Sequence, residues 1–262
     1  SPVLEGEEGD AILSPAKGDR DRIELPECQV DFLRRIRARI DRDDSGTRLV
    51  VLLFGGAAMA VPEVHELADA VLQVWYPGER GGEAIASILW GDAVPGGRLP
   101  VTVPRSTDVL PPYEDYGMAG RGYRFMKEPD ILYPFGFGLG YSAVRYCNLD
   151  APAAHDPRKP LPLRLTLENT GNHEAREVVQ VYLRSEAMPV KLAGFASLVL
   201  APGERRELTL TLQPRDLLNT DEEGHRHPFN GPCQLIAAAA APGAPARDLG
   251  APEPIMIHIE FN

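Results

Sequence analysis

The sequence predicts an α/β layer with a largely parallel sheet, followed by an all-β unit built as an antiparallel sandwich. Three observations predict it. Between Leu49 and Pro104, short continuous apolar runs alternate with helical periodicity and glycine-rich turns, the pattern of strands buried on both faces between helices. From Arg105 to Gly140 the chain is rich in Pro, Gly and Tyr and loses its period. Beyond it, short runs alternate apolar and polar residues at intervals set by turn signals, the pattern of half-buried antiparallel strands.

The elements follow in order. Residues 1–27 are acidic and loop-like, with Glu5, Glu7, Glu8 and Asp10 ahead of GDRDRIELP at Gly18–Pro26. Cys28–Arg42 is a predicted amphipathic helix, because Val30, Leu33, Ile36, Ala38 and Ile40 recur near a 3.6-residue period with arginines between them. DDSGT at Asp43–Thr47 stops it. Leu49–Phe54 (LVVLLF) and Leu67–Trp75 are predicted buried strands, with GGAAMA at Gly55–Ala60 turning the chain between them. Gly82–Trp90 is a predicted helix stopped by Gly91, and Arg98–Val103 a final strand. Arg105–Gly140 is expected to be an ordered linker crossing the surface. Alternation at Leu163–Leu167, Val178–Leu183, Ser197–Leu200, Glu207–Leu212, Gln234–Ala239 and Pro254–Glu260 predicts the sandwich strands, with turns at Asn169–Asn172 and Ala201–Glu204. Ala239–Asp248, rich in Ala, Pro and Gly, is expected to be a variable loop. The expected division is 1–104, 105–138 and 139–262.

Composition narrows the function class. The chain has 262 residues, with 27 Lys and Arg against 38 Asp and Glu, a net charge of −11. A nucleic-acid binder needs a basic footprint, so that class is excluded. No apolar run approaches the length of a membrane helix. Cys28, Cys147 and Cys233 are odd in number and far apart, which predicts neither a disulfide framework nor a zinc site. His65, His155, His173, His225, His227 and His258 are scattered, and no metal or cofactor is assigned. Gly78, Gly81 and Gly82 lack the ending of a phosphate-binding loop and are expected to shape a tight turn. Gly55 and Gly56 are expected to permit close backbone approach. Trp75, Tyr76 and Trp90 are expected in the core or at a domain interface. Tyr113, Tyr116, Arg121, Tyr123 and Arg124 are expected to pin the linker between domains.

Several of these segments together resemble one family. LEGEE at Leu4–Glu8 with GDRDRIELPECQ at Gly18–Gln29, LVVLLFGGAAMAV at Leu49–Val61 and WYPGERGGEAIASILWGDAVPGGRLPVTVP at Trp75–Pro104 resemble the α/β sandwich of glycoside hydrolase family 3. LPPYEDYGMAGRGYRFM at Leu110–Met126 and LYPFGFGLGYSAVRY at Leu132–Tyr146 resemble its linker and the first strand of its last domain. NTGNHEAREVVQVYL at Asn169–Leu183, LAGFASLVLAPGERRELTLTL at Leu192–Leu212 and NGPCQLIAAAA at Asn230–Ala240 resemble its fibronectin type III-like domain. The match runs nearly end to end and in order. It departs at Phe54, Gly122 and Gly140, where the family usually has Asn, Thr and Ser.

The resemblance implies a retaining β-glycosidase acting on non-reducing terminal β-D-glucose or β-D-xylose, and an α/β sandwich that is incomplete in this chain. Retaining hydrolysis uses two carboxyl groups roughly 5–5.5 Å apart, one attacking the anomeric carbon and one acting as acid and then base. The family's nucleophile is an Asp on a (β/α)₈ barrel, which this chain lacks, so a partner chain carrying the barrel is expected. The acid/base is expected in the acidic loop: Glu5 first, then Glu7, then Glu8. Adjacent carboxylates raise one another's pKa, which suits a general acid near neutral pH. Substrates would be oligosaccharides or aryl β-glycosides, and the two-chain unit could pair as a homodimer. Two other readings are a non-catalytic scaffold or carbohydrate-binding subunit, and a hydrolase using Ser1 as an N-terminal nucleophile. Ser1 is better read as a boundary left by cleavage of an exposed loop or by the numbering.

Overall fold

The computed structural model describes residues 22–44, 46–112, 114–186, 188–221 and 223–262. Helix α1 (Glu27–Asp43) starts after Pro26 and ends where Asp44 takes a left-handed conformation. It buries Val30 and packs Leu33 toward the first core, while its arginines pair along the exposed face with Asp31, Asp41 and Asp43. Strand β1 (Val50–Phe54) pairs in parallel with β2 (Ala70–Trp75). Between them lies a short helix that sequence periodicity does not announce, α2 (Pro62–Leu67), with Pro62 in its first turn, where the missing N–H is harmless. Helix α3 (Gly81–Trp90) follows and is closed by Gly91 in the left-handed region. Val51, Leu53, Met59, Val61, Val64, Val103 and Leu132 form the core of this part.

The predicted final strand at Arg98–Val103 is corrected by the structure. Only Val103–Pro104 (β3) is strand, and it pairs antiparallel with Ile131–Tyr133 (β4), inside the stretch expected to be linker. The reason is local. Pro100 and Pro104 have no N–H to give a ladder. The preceding residues instead make isolated bonds, Leu99 N–H to the Phe137 carbonyl (2.9 Å) and Gly136 N–H to the Leu99 carbonyl (2.8 Å).

The linker also holds a one-turn helix, α4 (Gly122–Phe125). Tyr123 ties it to the β unit: its ring stacks on Phe135 at 4.9 Å, and its hydroxyl accepts the Leu192 N–H at 3.1 Å. Arg121 closes its own loop on the carbonyls of Pro112, Asp115 and Gly117. Tyr116 is exposed, and Tyr113 lies outside the described residues. Among the described residues expected to pin the linker, Tyr123 makes contacts that cross it.

The remaining strands are β5 (Val144–Asp150), β6 (Ala154–His155), β7 (Leu161–Asn169), β8 (Ala175–Ser185), β9 (Met188–Leu200), β10 (Arg205–Leu212), β11 (Leu218–Thr220), β12 (Arg226–Pro228), β13 (Gly231–Ala238) and β14 (Ile255–Phe261). Sheet order is β10-β7-β5 in one sheet and β6-β14-β13-β8-β9 in the other, with β11-β12 a separate hairpin. The β6–β14 pairing is parallel. The two larger sheets share one core: Leu161, Leu163, Leu165 and Leu167 from β7 pack with Val179, Val181, Leu183, Leu235 and Ala237 from β8 and β13. Asn169 anchors the predicted turn. It is buried, its Nδ2 donates to the carbonyls of His173, Leu200 and Ala201, and its Oδ1 accepts from Ser142 and Gly171.

Strand β8 departs from simple alternation. Val179, Val181 and Leu183 face the sandwich core, yet Gln180 and Tyr182 between them are buried as well. The second face of the sheet is covered by Tyr123, Phe135 and the alanines that follow β13. Gly136, at φ +77°, lets the backbone pass over the Gln180 amide, where a Cβ would collide. The Gln180 amide donates to the carbonyls of Gly136 (3.2 Å) and Ala239 (2.6 Å). The expectation that Ala239–Asp248 is a variable loop is therefore corrected. Ala239, Ala240 and Ala241 are buried, and α5 (Ala244–Asp248) packs Ala246 beside Phe137. Small side chains are needed because two layers meet there.

One buried ion pair crosses from the α/β part to the β unit. Arg98 Nη2 lies 2.9 Å from Glu177 Oε2, with side chains 9% and 4% exposed. Tyr146 donates its hydroxyl to the other oxygen of Glu177 at 2.8 Å. Burial, then the Glu177 charge, pushes the Tyr146 phenol well above its ordinary range.

Candidate active site

Glu5, Glu7 and Glu8, the expected acid/base and its alternatives, lie outside the described residues, as do Ser1, Asp19, Arg20 and Asp21. The structure shows how the chain that follows them is held. Ile23 N–H donates to Thr107 Oγ1 at 2.9 Å, and the Ile23 carbonyl accepts the Ala60 N–H at 2.9 Å. Glu24 forms a parallel bridge with Ala60. Its carboxylate accepts from Thr107 N–H (2.7 Å) and Thr107 Oγ1 (2.6 Å), with Arg22 Nε at 3.4 Å. Leu25 then packs on the first core. Ile23 and Glu24 are thus clamped between the loop after β1 and the turn at Thr107–Val109.

Partial burial opposes ionisation of Glu24, but the two Thr107 donors outweigh it and bring the carboxyl down to about 2 from an ordinary 4.5. A depressed folded-state pKa means that the stabilisation is complete above the unfolded value. It is lost as pH falls through the folded one. Glu24→Gln is therefore expected to cost about 1.5–3 kcal/mol near neutrality, the range for a hydrogen bond to a charged group. The difference from wild type should shrink between pH 4.5 and pH 2. Urea unfolding across that window checks it; a constant difference would show that the carboxylate charge is not the cause.

At Ala60 the clamp engages the loop that leaves the carboxyl end of β1, and open α/β sheets place their ligands at the carboxyl ends of their parallel strands. Phe54 and Trp75 are register partners there, across a bulge. Trp75 has φ +58°, a strained conformation for a bulky residue, and its carbonyl accepts the Gly55 N–H at 3.4 Å. Tyr76 lies against Gly56, where a Cβ would stand 2.5 Å from its ring, so Gly56 does serve close approach. Gly78, at φ +72°, turns the chain into α3. Phe54 is 55%, Tyr76 71% and Trp90 79% exposed. Tyr76 and Trp90 are therefore not core residues of this chain, which corrects that half of the expectation.

The described residues also form a cleft of about 430 Å³ lined by His65, Arg105, Glu128, Leu132, Pro245 and Asp248. Arg105 donates to the carbonyls of Pro129 and Ile131, and His65 Nδ1 lies 3.1 Å from the Tyr133 hydroxyl. Burial raises the Tyr133 phenol to about 12. Thr107 and Glu24 are the positioning residues that the sequence did not single out; RSTDVL carries no local signal that Thr107 closes on a segment 83 residues away.

Comparison with known proteins accounts for both parts of the chain. The description Glycosyl hydrolase family 3 C-terminal domain matches residues 2–141, and Fibronectin type III-like domain matches residues 177–238. A xylan 1,4-β-xylosidase from Xylanibacter ruminicola is 36% identical over 85% of this chain and 25% of its own length. A periplasmic β-glucosidase from Salmonella typhimurium is 34% identical over 74% of this chain and 27% of its own. The structure of a β-glucosidase from Erythrobacter marinus superposes with a TM-score of 0.76 at 29% identity, covering 99% of this chain and 34% of that one. The chain spans about a quarter of the length of the curated relatives it matches. With the first description covering more than half of its residues and the second following in order, the chain belongs to glycosyl hydrolase family 3.

Proposed function

We propose that this chain is the C-terminal part of a retaining, exo-acting β-glycosidase that removes terminal β-D-glucosyl or β-D-xylosyl residues from oligosaccharides or aryl glycosides. The carrying observation is that its glycosidase relatives, at 34–36% identity, align with it over most of its length but only a quarter of theirs. In this reading the acidic loop supplies the acid/base, Glu5 before Glu7 and Glu8. A barrel borne by a partner supplies the nucleophilic Asp. The Ile23–Glu24 clamp fixes where the loop rejoins the fold, and so limits where its carboxylates can reach.

The expectation of a partner has physical support in the α/β part. A two-stranded parallel sheet is too small to be stable unaided, and parallel sheets are normally covered on both faces. Here Val50 and Phe54 of β1, and Tyr76 just after β2, are exposed. Further strands of the α/β sandwich and the barrel would cover them. The domain division at residues 104 and 138 belongs to the same proposal, with β3 and β4 knitting the linker to the α/β part.

The test is reconstitution. Protein isolated from its native source is analysed by native mass spectrometry and assayed on 4-nitrophenyl β-D-glucoside and β-D-xyloside. A barrel on the same polypeptide or on a co-purifying chain, with hydrolysis by that assembly and none by these 262 residues alone, is the expected result. A folded, isolated monomer whose barrel relatives work without it would favour the scaffold reading instead.

A further inference from the structure

We propose that the β11–β12 hairpin carries a surface site for a zinc-class divalent cation, with Asp221, His225 and His227 as its ligands. The site is independent of the glycosidase reading. It arises from the turn Asp221–His225. The Asp221 N–H donates to the His225 carbonyl at 3.0 Å, Gly224 N–H donates to the Asp221 carbonyl at 3.2 Å, and Gly224 takes φ +86°. His225 N–H donates to Asp221 Oδ1 at 2.7 Å. One carboxylate oxygen is thereby used to hold the turn, and the other is presented to two imidazoles.

The histidines reach that oxygen because they are two residues apart on extended chain, which puts their rings on one side. His227 Nε2 lies 2.7 Å and His225 Nδ1 3.6 Å from Asp221 Oδ2. The three ligand atoms all lie within 4.8 Å of one another. Tetrahedral coordination with bonds of about 2.0–2.2 Å requires ligand atoms roughly 3.3 Å apart, and these separations bracket that value. The His225 and His227 side chains are 73% and 62% exposed, so small χ rotations close the remaining gap without disturbing packing.

The donor set selects the ion. Two imidazole nitrogens and one carboxylate suit zinc and its neighbours, whereas magnesium and calcium prefer oxygen ligands throughout. Binding replaces the hydrogen bond between Asp221 and His227: the neutral ring takes the tautomer protonated at Nδ1, through solvent exchange, and its Nε2 lone pair goes to the ion. A fourth position stays open to water, as in three-ligand zinc sites. The bound ion would brace a hairpin that is otherwise tied to the sandwich through Leu217 and Phe229, buried on either side of it.

The test uses the full 262-residue chain, stripped with EDTA and titrated with ZnCl₂ by calorimetry. One saturable equivalent, not displaced by excess MgCl₂ and accompanied by a rise in Tm, is expected. His225→Gln/His227→Gln should lose both the binding and the Tm rise while keeping the wild-type circular dichroism. His258→Gln and Cys28→Ser should keep both. If the double variant fails to fold, the single exposed variant His225→Gln carries the same expectation of weakened binding. Absence of saturable binding by the wild type, displacement by Mg²⁺, or unchanged affinity in the histidine variants would overturn the site.

Discussion

Glu5→Gln in the assembled enzyme should slow hydrolysis of disaccharides by about 10²–10⁴-fold, the range contributed by a positioned general acid. The loss should depend on the leaving group. A disaccharide releases a poor alkoxide that must be protonated as the glycosidic bond breaks. A nitrophenyl glycoside releases a stable phenolate that needs little help, so formation of the glycosyl-enzyme should be spared. The second half-reaction then lacks a base to activate water. Added azide needs no base, so it should restore turnover and give the β-glycosyl azide. Steady-state kinetics on paired substrates, with and without azide, checks this. Equal and small effects on both substrates would remove Glu5 from the role and direct the same test to Glu7 and then Glu8.

The second large effect concerns stability. Arg98→Ala is expected to cost about 3–5 kcal/mol, because removing one partner of a buried pair leaves the other charge uncompensated. Among the described residues, Glu177 would keep only the Tyr146 hydroxyl, 2.8 Å away, and its side chain is 4% exposed. Glu177→Ala should cost a similar amount by stranding Arg98. Removing both charges should cost much less than the sum of the single losses. A double-mutant cycle by urea unfolding measures that coupling. Additive single effects would mean that the pair does not act as a unit. The pair joins residues 79 positions apart, so its loss should also loosen the α/β part from the β unit.

Much of the architecture was legible in sequence because it depends on local periodicity. The helix at Glu27–Asp43 follows from its apolar stripe, and the β7 strand from the alternation of Leu163, Leu165 and Leu167. Glycine turns at Gly78 and Gly91 followed from the same local logic. Periodicity failed where a second layer intervened. Alternation along Val178–Leu183 predicts one buried face, yet Gln180 and Tyr182 on the other face are covered too, by the linker and the chain after β13. Ala239–Asp248 read as a loop because small residues look undemanding, when their smallness is what lets two layers approach. Arg98–Val103 read as a strand because apolar alternation does not register the missing N–H of a proline.

The candidate site divides in the same way. Its family, its acidic loop and the order of Glu5, Glu7 and Glu8 came from the one-dimensional sequence, through motifs that keep their order along the chain. The clamp of Ile23 and Glu24 on Thr107 and Ala60 was decided by tertiary structure. The physical reason is range. Capping, turn formation and hydrophobic periodicity act over a few neighbours and leave their mark in composition. A hydrogen bond between distant segments depends on where the fold delivers each end, and neither end carries a record of the other.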